Sequence, residues 1–427
     1  MAHPSLIIIG GGPAGLMAAR TAARAGLGVL LFEALPRAGD LGHPCSGVIA
    51  PAPGFVRGER TPAGIRFPAL DLTIPAALIV GTPSVQRYVG PGGGAFEARF
   101  PSRADFPIAA LDKPALLRLL AEQATAAGAE LRFGTPVTGL LKEDGRVVGV
   151  RSRNGEFRSP LVLSAEGVSR RFTEEAGLYE GMAAPKRYAF IVSETLDAPA
   201  ASHPLQISTL GRRYTSANTP VFGSVVVPAP GRAEVYFSVF AETPQAQTDE
   251  SLWRYLAEYK ANDPRVSGLL AGSRPLARSG TRMVLRPVPP RVTADGFIGL
   301  GDSVGPGGHV GIVPCLYLGQ QAARVAAQAF RAGDTSRNAL AAYDRLYHGP
   351  FQRGLDTEYK IITGLANMRD DQLDRLCETL SKINLAPFFF GRWQPMAVET
   401  WKWIVTGFPL ILRDWRLIQR MMGGEVE

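Results

Sequence analysis

The stretch from Ser5 to Glu33 constrains the chain more than any other. Ser5 to Ile9 is a short, Ile-rich apolar run of the kind that fills a strand buried on both faces. Gly10-Gly11-Gly12-Pro13-Ala14-Gly15 follows without a spacer. The Ala-rich helix former Leu16 to Ala25 comes next, then Gly26, then a second apolar run, Val29 to Phe32, closed by Glu33. Strand, glycines, helix, strand and terminal acid in this order make a βαβ unit of about 30 residues. Each part has a task in holding a dinucleotide. Gly10 permits the tight turn into the helix, Gly12 lets backbone approach a diphosphate, and Gly15 lets the helix pack on the strand. Pro13 and Ala14 begin the helix, where unpaired N–H groups and the positive dipole end face phosphate oxygens. Glu33, with Ala34 beside it, stands where a carboxylate accepts hydrogen bonds from ribose hydroxyls.

At 427 residues the chain is too long for one simple core, and two or three domains are expected. Hydrophobic residues make up 46% and charged residues 20%, which points to a globular rather than a disordered protein. The net charge of +8 favours anionic cofactors, anionic lipid headgroups or nucleic acid. The basic residues are spread along the chain with no dense run interleaved with aromatics, so no nucleic-acid partner is expected. Cys45, Cys315 and Cys377 are odd in number, far apart and form no CxxC pair. That argues against a disulfide framework and for a reducing cytoplasm. No HExxH or Cys/His cluster suggests a metal. No basic leader precedes a cleavable apolar stretch, and no window of about 18 apolar residues predicts a membrane span.

Strands and helices alternate, so the fold class expected is mixed α/β. Pro114 to Ala127 reads as an amphipathic helix with Pro at its start. Glu130 to Phe133, Val147 to Arg153 and Phe157 to Ala165 read as strands, with Asp144-Gly145 as a hairpin turn. Gly90 to Gly94 reads as a flexible turn. Tyr188 to Ser193, Val221 to Val227 and Ala233 to Phe240 read as an antiparallel sheet, and Glu250 to Asn262 as a helix. Gly296 to Leu300 is another short buried strand, and a helix is expected from near Val313 to Phe330. Beyond Leu340 the tail is expected to be mainly helical, broken at Pro387, Pro395 and Pro409. Within it Trp393, Trp401, Trp403 and Trp415 cluster with Phe388 to Phe390 and Ile404 to Leu412, followed by Arg413, Arg416 and Arg420. Aromatics beside basic residues suit a peripheral contact with the inner face of a membrane. They equally suit a helical cover over a substrate cavity, and the two readings are compatible.

Two later segments specify the dinucleotide. Gly299-Leu300-Gly301-Asp302-Ser303 resembles the second flavin fingerprint of the glutathione-reductase-like flavoproteins, in which an Asp after a short strand contacts the ribityl and diphosphate region. Ala165-Glu166-Gly167-Val168-Ser169-Arg170 resembles the A-D-G-x-x-S-x-x-R stretch of flavin hydroxylases, with Glu166 for the Asp and Ser169 one position early. Taken alone, Asp302 is also a turn cap and the second stretch also a surface turn.

Together these segments resemble the geranylgeranyl reductase family of flavoproteins over roughly residues 5 to 345. Pro44-Cys45-Ser46-Gly47 is similar to that family's Cys-Gly loop, with Ser46 interposed. Gly311-Ile312-Val313-Pro314-Cys315-Leu316-Tyr317-Leu318-Gly319 is similar to its G-I-x-x-A-x-x-x-G helix start, with Cys315 in the small-residue place. Tyr236-Phe237-Ser238-Val239-Phe240-Ala241 is similar to its Y-x-W-x-F-P motif, with Ser238 for Trp and Ala241 for Pro. Lys113 stands where the family has Arg, either as a point charge on the cofactor or as a solvated helix-start lysine.

The resemblance implies a discontinuous, glutathione-reductase-like FAD-binding domain (1–75, 105–180 and 286–345). It further implies an inserted antiparallel substrate domain (76–104 and 181–285) and a helical C-terminal region (346–427). FAD would lie extended, its ADP on Gly10 to Gly15, Glu33 and Ala34, its ring near Cys45 and the Gly305 to Ile312 loop. Further cofactor contacts would come from Ser46, Gly47, Lys113, Val137, Ala165, Glu166, Gly167, Gly301, Asp302, Gly308, Gly311 and Ile312. Cys45 and His309 are the candidate catalytic residues; the alternatives are a small buried thiol and a solvated loop histidine. Tyr236, Ser238 and Phe240 alternate along a strand and so share a face, lining either a substrate pocket or the sheet core.

The implied reaction is hydride transfer from reduced flavin to a carbon–carbon double bond of an apolar, isoprenoid-like substrate. No second dinucleotide fold is visible, so NAD(P)H is expected at most as a transient donor, and the electron donor stays open. A flavin monooxygenase shares these fingerprints, and a flavin-binding electron carrier or redox sensor is the reading from another class. No W-x-W-x-I-P segment points to a halogenase.

Overall fold

The computed structural model describes residues 4–49, 56–99, 107–215, 219–305, 310–381, 414–416 and 419. The opening apolar run forms a fully buried strand, Leu6–Ile9, at the centre of a six-stranded sheet. On one side it pairs in parallel with Val29–Phe32, which pairs with Glu130–Arg132. On the other it pairs in parallel with Val162–Ser164, which pairs with Phe297–Gly299. Thr293–Ala294 adds a short antiparallel edge. Helices Pro13–Arg24 and Ile312–Ala332 cross against each other, and Lys113–Ala126 packs beside the first. Burial of both faces is what lets these strands be almost wholly apolar.

A three-stranded antiparallel sheet, Val137–Glu143, Arg146–Ser152 and Gly155–Arg158, hangs from this domain. The run expected as one strand from Phe157 to Ala165 is thus two strands in two sheets, interrupted around Pro160, which has no N–H to donate.

The second large unit is a seven-stranded sheet. Its order across the sheet is Arg274–Leu285, Arg187–Ala198, Gly231–Ala241, Val221–Ala229, Leu205–Gly211, Val85–Val89 and Ala95–Arg99. It is antiparallel throughout except that Leu205–Gly211 runs parallel to Val85–Val89, which corrects the purely antiparallel expectation. Ile79–Gly81 pairs with Ala109–Leu111, which also pairs with Val48–Ile49, in a separate three-stranded sheet.

One face of the seven-stranded sheet carries Phe190, Val192, Val235, Phe237 and Val239, and helix Asp249–Asn262 seals it with Leu252, Tyr255, Leu256 and Tyr259. Helices Arg337–Leu346, Gln352–Asn367 and Asp370–Leu380 follow, and Asp414 accepts from the Thr379 hydroxyl at 2.8 Å. The last packs Leu373, Leu376 and Cys377 on Phe96, Leu210 and neighbouring Phe222 of the large sheet. The expected breaks at Pro387, Pro395 and Pro409, and tryptophans 393, 401 and 403, lie outside the described residues.

Candidate active site

Steric demands at the first fingerprint separate its glycines. Gly10 has φ +100°, and a Cβ there would lie 2.3 Å from the Ala165 carbonyl oxygen. A Cβ on Gly15 would lie 1.9 Å from the carbonyl oxygen of Gly10. Both positions are glycine because backbone already fills the space. Gly12 differs: its φ is −76° and nothing lies within 4 Å of a Cβ built there. It opens the helix at Pro13 with no side-chain cap. Open room at an uncapped helix N-terminus is what a diphosphate needs. Glu33 accepts from the backbone N–H of Gly11 and from that of Leu35 at 2.7 Å, and Ala34 beside it is exposed. Val137 begins its strand close by, through Thr135 N–H donating to the Glu33 carbonyl at 2.9 Å.

The second fingerprint folds back onto the first. Gly301 has φ +62°, and a Cβ there would touch Cys315 Sγ at 3.2 Å and Ala14 Cβ at 3.5 Å. Gly319, one helical stretch on, abuts the Ala14 carbonyl. Asp302 Oδ1 accepts from Val310 N–H at 2.8 Å and so ties the turn to the entry of helix Ile312–Ala332. Gly311, φ +89°, caps that helix without a side chain, and Ile312 is buried behind it. Gly308 and His309 lie outside the described residues.

Glu166 turns inward. Its carboxylate accepts from Ser164 and Ser169 hydroxyls (3.1 and 2.6 Å) and from Phe172 and Thr173 N–H (2.8 and 2.9 Å). Burial pushes this carboxyl above the usual range, against those hydrogen bonds. It shapes the Ala165–Gly167 loop, with Gly167 at φ +71°.

A third group of residues gathers from distant segments. Gly47, φ +65°, lies against Leu111, whose N–H donates to the Gly47 carbonyl at 3.0 Å. This brings Cys45 and Ser46, both half-buried, towards Lys113 in the first turn of its helix. Lys113 is only 5% exposed, which sets aside the solvated helix-start lysine. From the large sheet, Glu234 comes within electrostatic reach of Lys113, and Tyr236 within that of Cys45.

The Tyr236 hydroxyl donates to Glu234 Oε2. Burial raises the Glu234 carboxyl above its ordinary range, partly offset by Tyr236, Arg232 and Lys113. Burial, then Glu234, drives the Tyr236 phenol well above its usual value, so it stays a donor. Burial likewise pushes the Cys315 thiol far up, keeping it neutral and apolar. Ser238 and Phe240 share the Tyr236 face by register and lie opposite the helix-sealed face, where Phe237 and Val239 fill the core instead.

Glu234 is absent from the sequence reading. Its signal was available, as a carboxylate two residues before Tyr236 on an otherwise apolar alternating strand. No group of three or more His, Cys, Asp or Glu that could hold a metal occurs among the described residues.

The residues present fit a flavin dinucleotide, and comparison with known proteins agrees. Two family models, each described as FAD dependent oxidoreductase, match residues 99–311 and 5–167. The digeranylgeranylglycerophospholipid reductase of Methanosphaerula palustris is 26% identical over 90% of this chain and 91% of its own length. That of Methanocella arvoryzae is 25% identical over 96% and 97%. Among solved structures, a geranylgeranyl bacteriochlorophyll reductase-like protein from Thermoplasma acidophilum superposes with a TM-score of 0.77 at 22% identity, covering 98% of this chain and 100% of that one. A flavin-dependent brominase gives 0.59 at 16% identity, covering 99% and 94%. These superpositions speak to the fold.

Proposed function

Because the chain belongs to the FAD-dependent oxidoreductases, in the geranylgeranyl reductase-like family, we propose that it reduces carbon–carbon double bonds of an isoprenoid lipid. Support for the substrate class comes from the relatives' names and from the face of the large sheet where Tyr236, Ser238 and Phe240 stand opposite the helix-sealed core. The finer architecture proposed is a glutathione-reductase-like FAD domain in three chain segments with the large sheet inserted between them. Gly12, the uncapped helix start and Glu33 would hold the ADP half, and Asp302 with the Gly311 helix start the ribityl and ring end. When bound, FAD supplies hydride transfer.

The chain's own part is to hold the double bond and provide the balancing proton. The half-buried, hydrogen-bonded Glu234–Tyr236 pair is the observation that carries this reading. Glu234 is held protonated to higher pH than an ordinary carboxyl, Tyr236 Oη is hydrogen-bonded to it, and Cys45 and Lys113 border them. A proton on Tyr236 Oη, replaced from Glu234, would go to one carbon of the double bond while its neighbour takes the hydride. Lys113 fixes a positive charge near this pair and helps the carboxyl reionise after the transfer.

The experiment is anaerobic. FAD-loaded protein is reduced chemically, mixed with a polyprenyl lipid, and followed by the return of oxidised-flavin absorbance and by the mass of the lipid. A gain of two hydrogens per oxidised flavin is the expected result. Reoxidation by no polyprenyl lipid would overturn the reading, and oxygen uptake coupled to a hydroxylated product would replace it with a monooxygenase. Among the described residues no helix is long and apolar enough to cross a membrane. Trp415 and Arg416, both exposed, support a peripheral membrane contact through the tail.

A further inference from the structure

Two of the largest side chains in the core end in hydroxyls that nothing around them satisfies. Tyr343 and Tyr347 are both 0% exposed, and neither hydroxyl has a hydrogen-bond partner among the described residues. They stand at i and i+4 on one side of the helical chain, with ring centroids 6.3 Å apart. An enclosed hydroxyl left unmatched weighs roughly 5- to 150-fold against the folded state, so two side by side need a partner.

Asp344 fixes the direction they face. Its carboxylate accepts from Val292 N–H at 2.7 Å and from the Thr293 hydroxyl, which clamps helix Arg337–Leu346 to the edge of the six-stranded sheet. Next to that edge runs Phe297–Gly299, the strand that delivers Gly301 and Asp302. A π-turn over Tyr347–Phe351, with a kink at Gly349 (φ −77°, ψ −140°), brings the Phe351 ring to 5.4 Å from that of Tyr347.

The surroundings of the two phenols belong to the second fingerprint. Tyr343 lies within electrostatic reach of Cys315, and Tyr347 within that of Tyr343, Tyr179, Cys315 and Asp302. The Tyr179 hydroxyl donates to the Ser303 carbonyl at 3.3 Å, and Cys315 Sγ backs Gly301. Burial drives both phenols well above their usual range, so each keeps its proton and can donate as well as accept. Two neutral phenols and a neutral thiol suit a small neutral molecule with donors and acceptors of its own rather than an ion.

We infer that Tyr343 and Tyr347 share one buried water behind the Asp302 turn and are, through it, positioning residues for the second flavin fingerprint. One water joins hydroxyls up to about 5.5 Å apart. It makes the backing of the turn continuous, from the sheet edge held by Asp344 through the two phenols to Cys315 and Gly301. This inference rests on the placement of Asp302 against FAD and extends it to a helix outside both fingerprints.

The test is a double-mutant cycle on the full chain, unfolded in urea with and without added FAD, together with FAD affinity from flavin titration. Tyr343→Phe and Tyr347→Phe keep each ring and remove only a hydroxyl. Each should shift the unfolding equilibrium about fivefold or more towards the unfolded state. The double variant should lose little more than either single one, because the first deletion already breaks the bridge. Phenylalanine variants as stable as the parent, or more stable, overturn the inference, since that is what deleting an unmatched hydroxyl gives. Losses that simply add also overturn it, by giving the hydroxyls separate partners. In a crystal structure of the FAD-loaded protein, density for one water within about 3 Å of both hydroxyls is expected, and its absence counts against the bridge. Tyr347→Phe should further weaken FAD binding about three- to tenfold and shift the absorbance band of the bound flavin; unchanged affinity and spectrum overturn the positioning role. FAD binding that withstands Asp302→Ala removes the placement of Asp302 itself, whatever the stability cycle shows, so the two can fail apart.

Discussion

Gly10 and Gly12 belong to one motif yet answer to different neighbours, and substitution separates them. Gly12→Ala adds a methyl where no protein atom lies within 4 Å and at an ordinary φ. The apo protein should keep its stability to within about 0.5 kcal/mol while FAD affinity falls at least tenfold, measured by flavin titration. Gly10→Ala meets backbone at 2.3 Å with φ +100°, and should cost several kcal/mol in urea unfolding whether or not FAD is present. Both glycines were legible from spacing alone, because the chemistry they serve lies within one local unit. For Glu234 the sequence offered only its place two residues before Tyr236; the charge of Lys113 that acts on it comes from a segment more than a hundred residues away.

Glu234 also has a pH signature. Its folded-state carboxyl titrates above the ordinary value near 4.3. Turnover that needs its proton should therefore fall as pH rises through that raised value. Glu234→Gln should cut the rate of flavin reoxidation about 100-fold and flatten the limb. For stability the sign is the same. Between the ordinary and the raised value the folded state binds more protons than the unfolded, so this group's contribution is full below the ordinary value and lost as pH rises through the raised one.

At the scale of elements, the crossing of helices Pro13–Arg24 and Ile312–Ala332 fixes how the two fingerprints face one ligand. A Cβ on Gly319 would lie 2.1 Å from the Ala14 carbonyl oxygen. Gly319→Val should cost about 3 kcal/mol and lower FAD loading with it, because the helix start that meets the diphosphate is displaced. A chemical denaturation curve with and without added FAD reads both effects. Fingerprint strands and helices announced themselves through uniform apolar runs and glycine punctuation. Strands Leu205–Gly211 and Arg274–Leu285 did not. The first is interrupted by Gln206, Ser208 and Thr209, which bond across the sheet or to Tyr259. The second is an edge, exposed along most of its length and studded with Arg274, Arg278 and Arg282. Such charges keep an edge from pairing with another chain, and they also hide it from an alternation pattern.

In the whole molecule, ligand and fold are coupled. FAD that binds only the folded state should raise its stability by about 2.7 kcal/mol at a free concentration 100 times its dissociation constant. A melting temperature that rises with added FAD checks this, and Gly12→Ala should reduce the rise by about half or more at the same FAD concentration. The mixed α/β class was legible from the alternation of elements. The enclosure of Lys113, a candidate cofactor contact by sequence, was not, because a lone basic residue in sequence does not say whether it will be solvated or enclosed. Enclosure is decided by which distant segments close over it.

The threaded order of the six-stranded sheet has a consequence for biosynthesis. Leu6–Ile9 leaves the ribosome first, yet its inner neighbour Val162–Ser164 and the next strand, Phe297–Gly299, arrive much later. A nascent chain must keep its most apolar strand half-unpaired until Val162–Ser164 has been made, over a third of the way through translation, and cannot close around the flavin until Gly301 and Asp302 have emerged. Ribosome-bound chains stalled before that point should be colourless and dependent on chaperones, and those stalled after helix Ile312–Ala332 has cleared the exit tunnel should turn yellow.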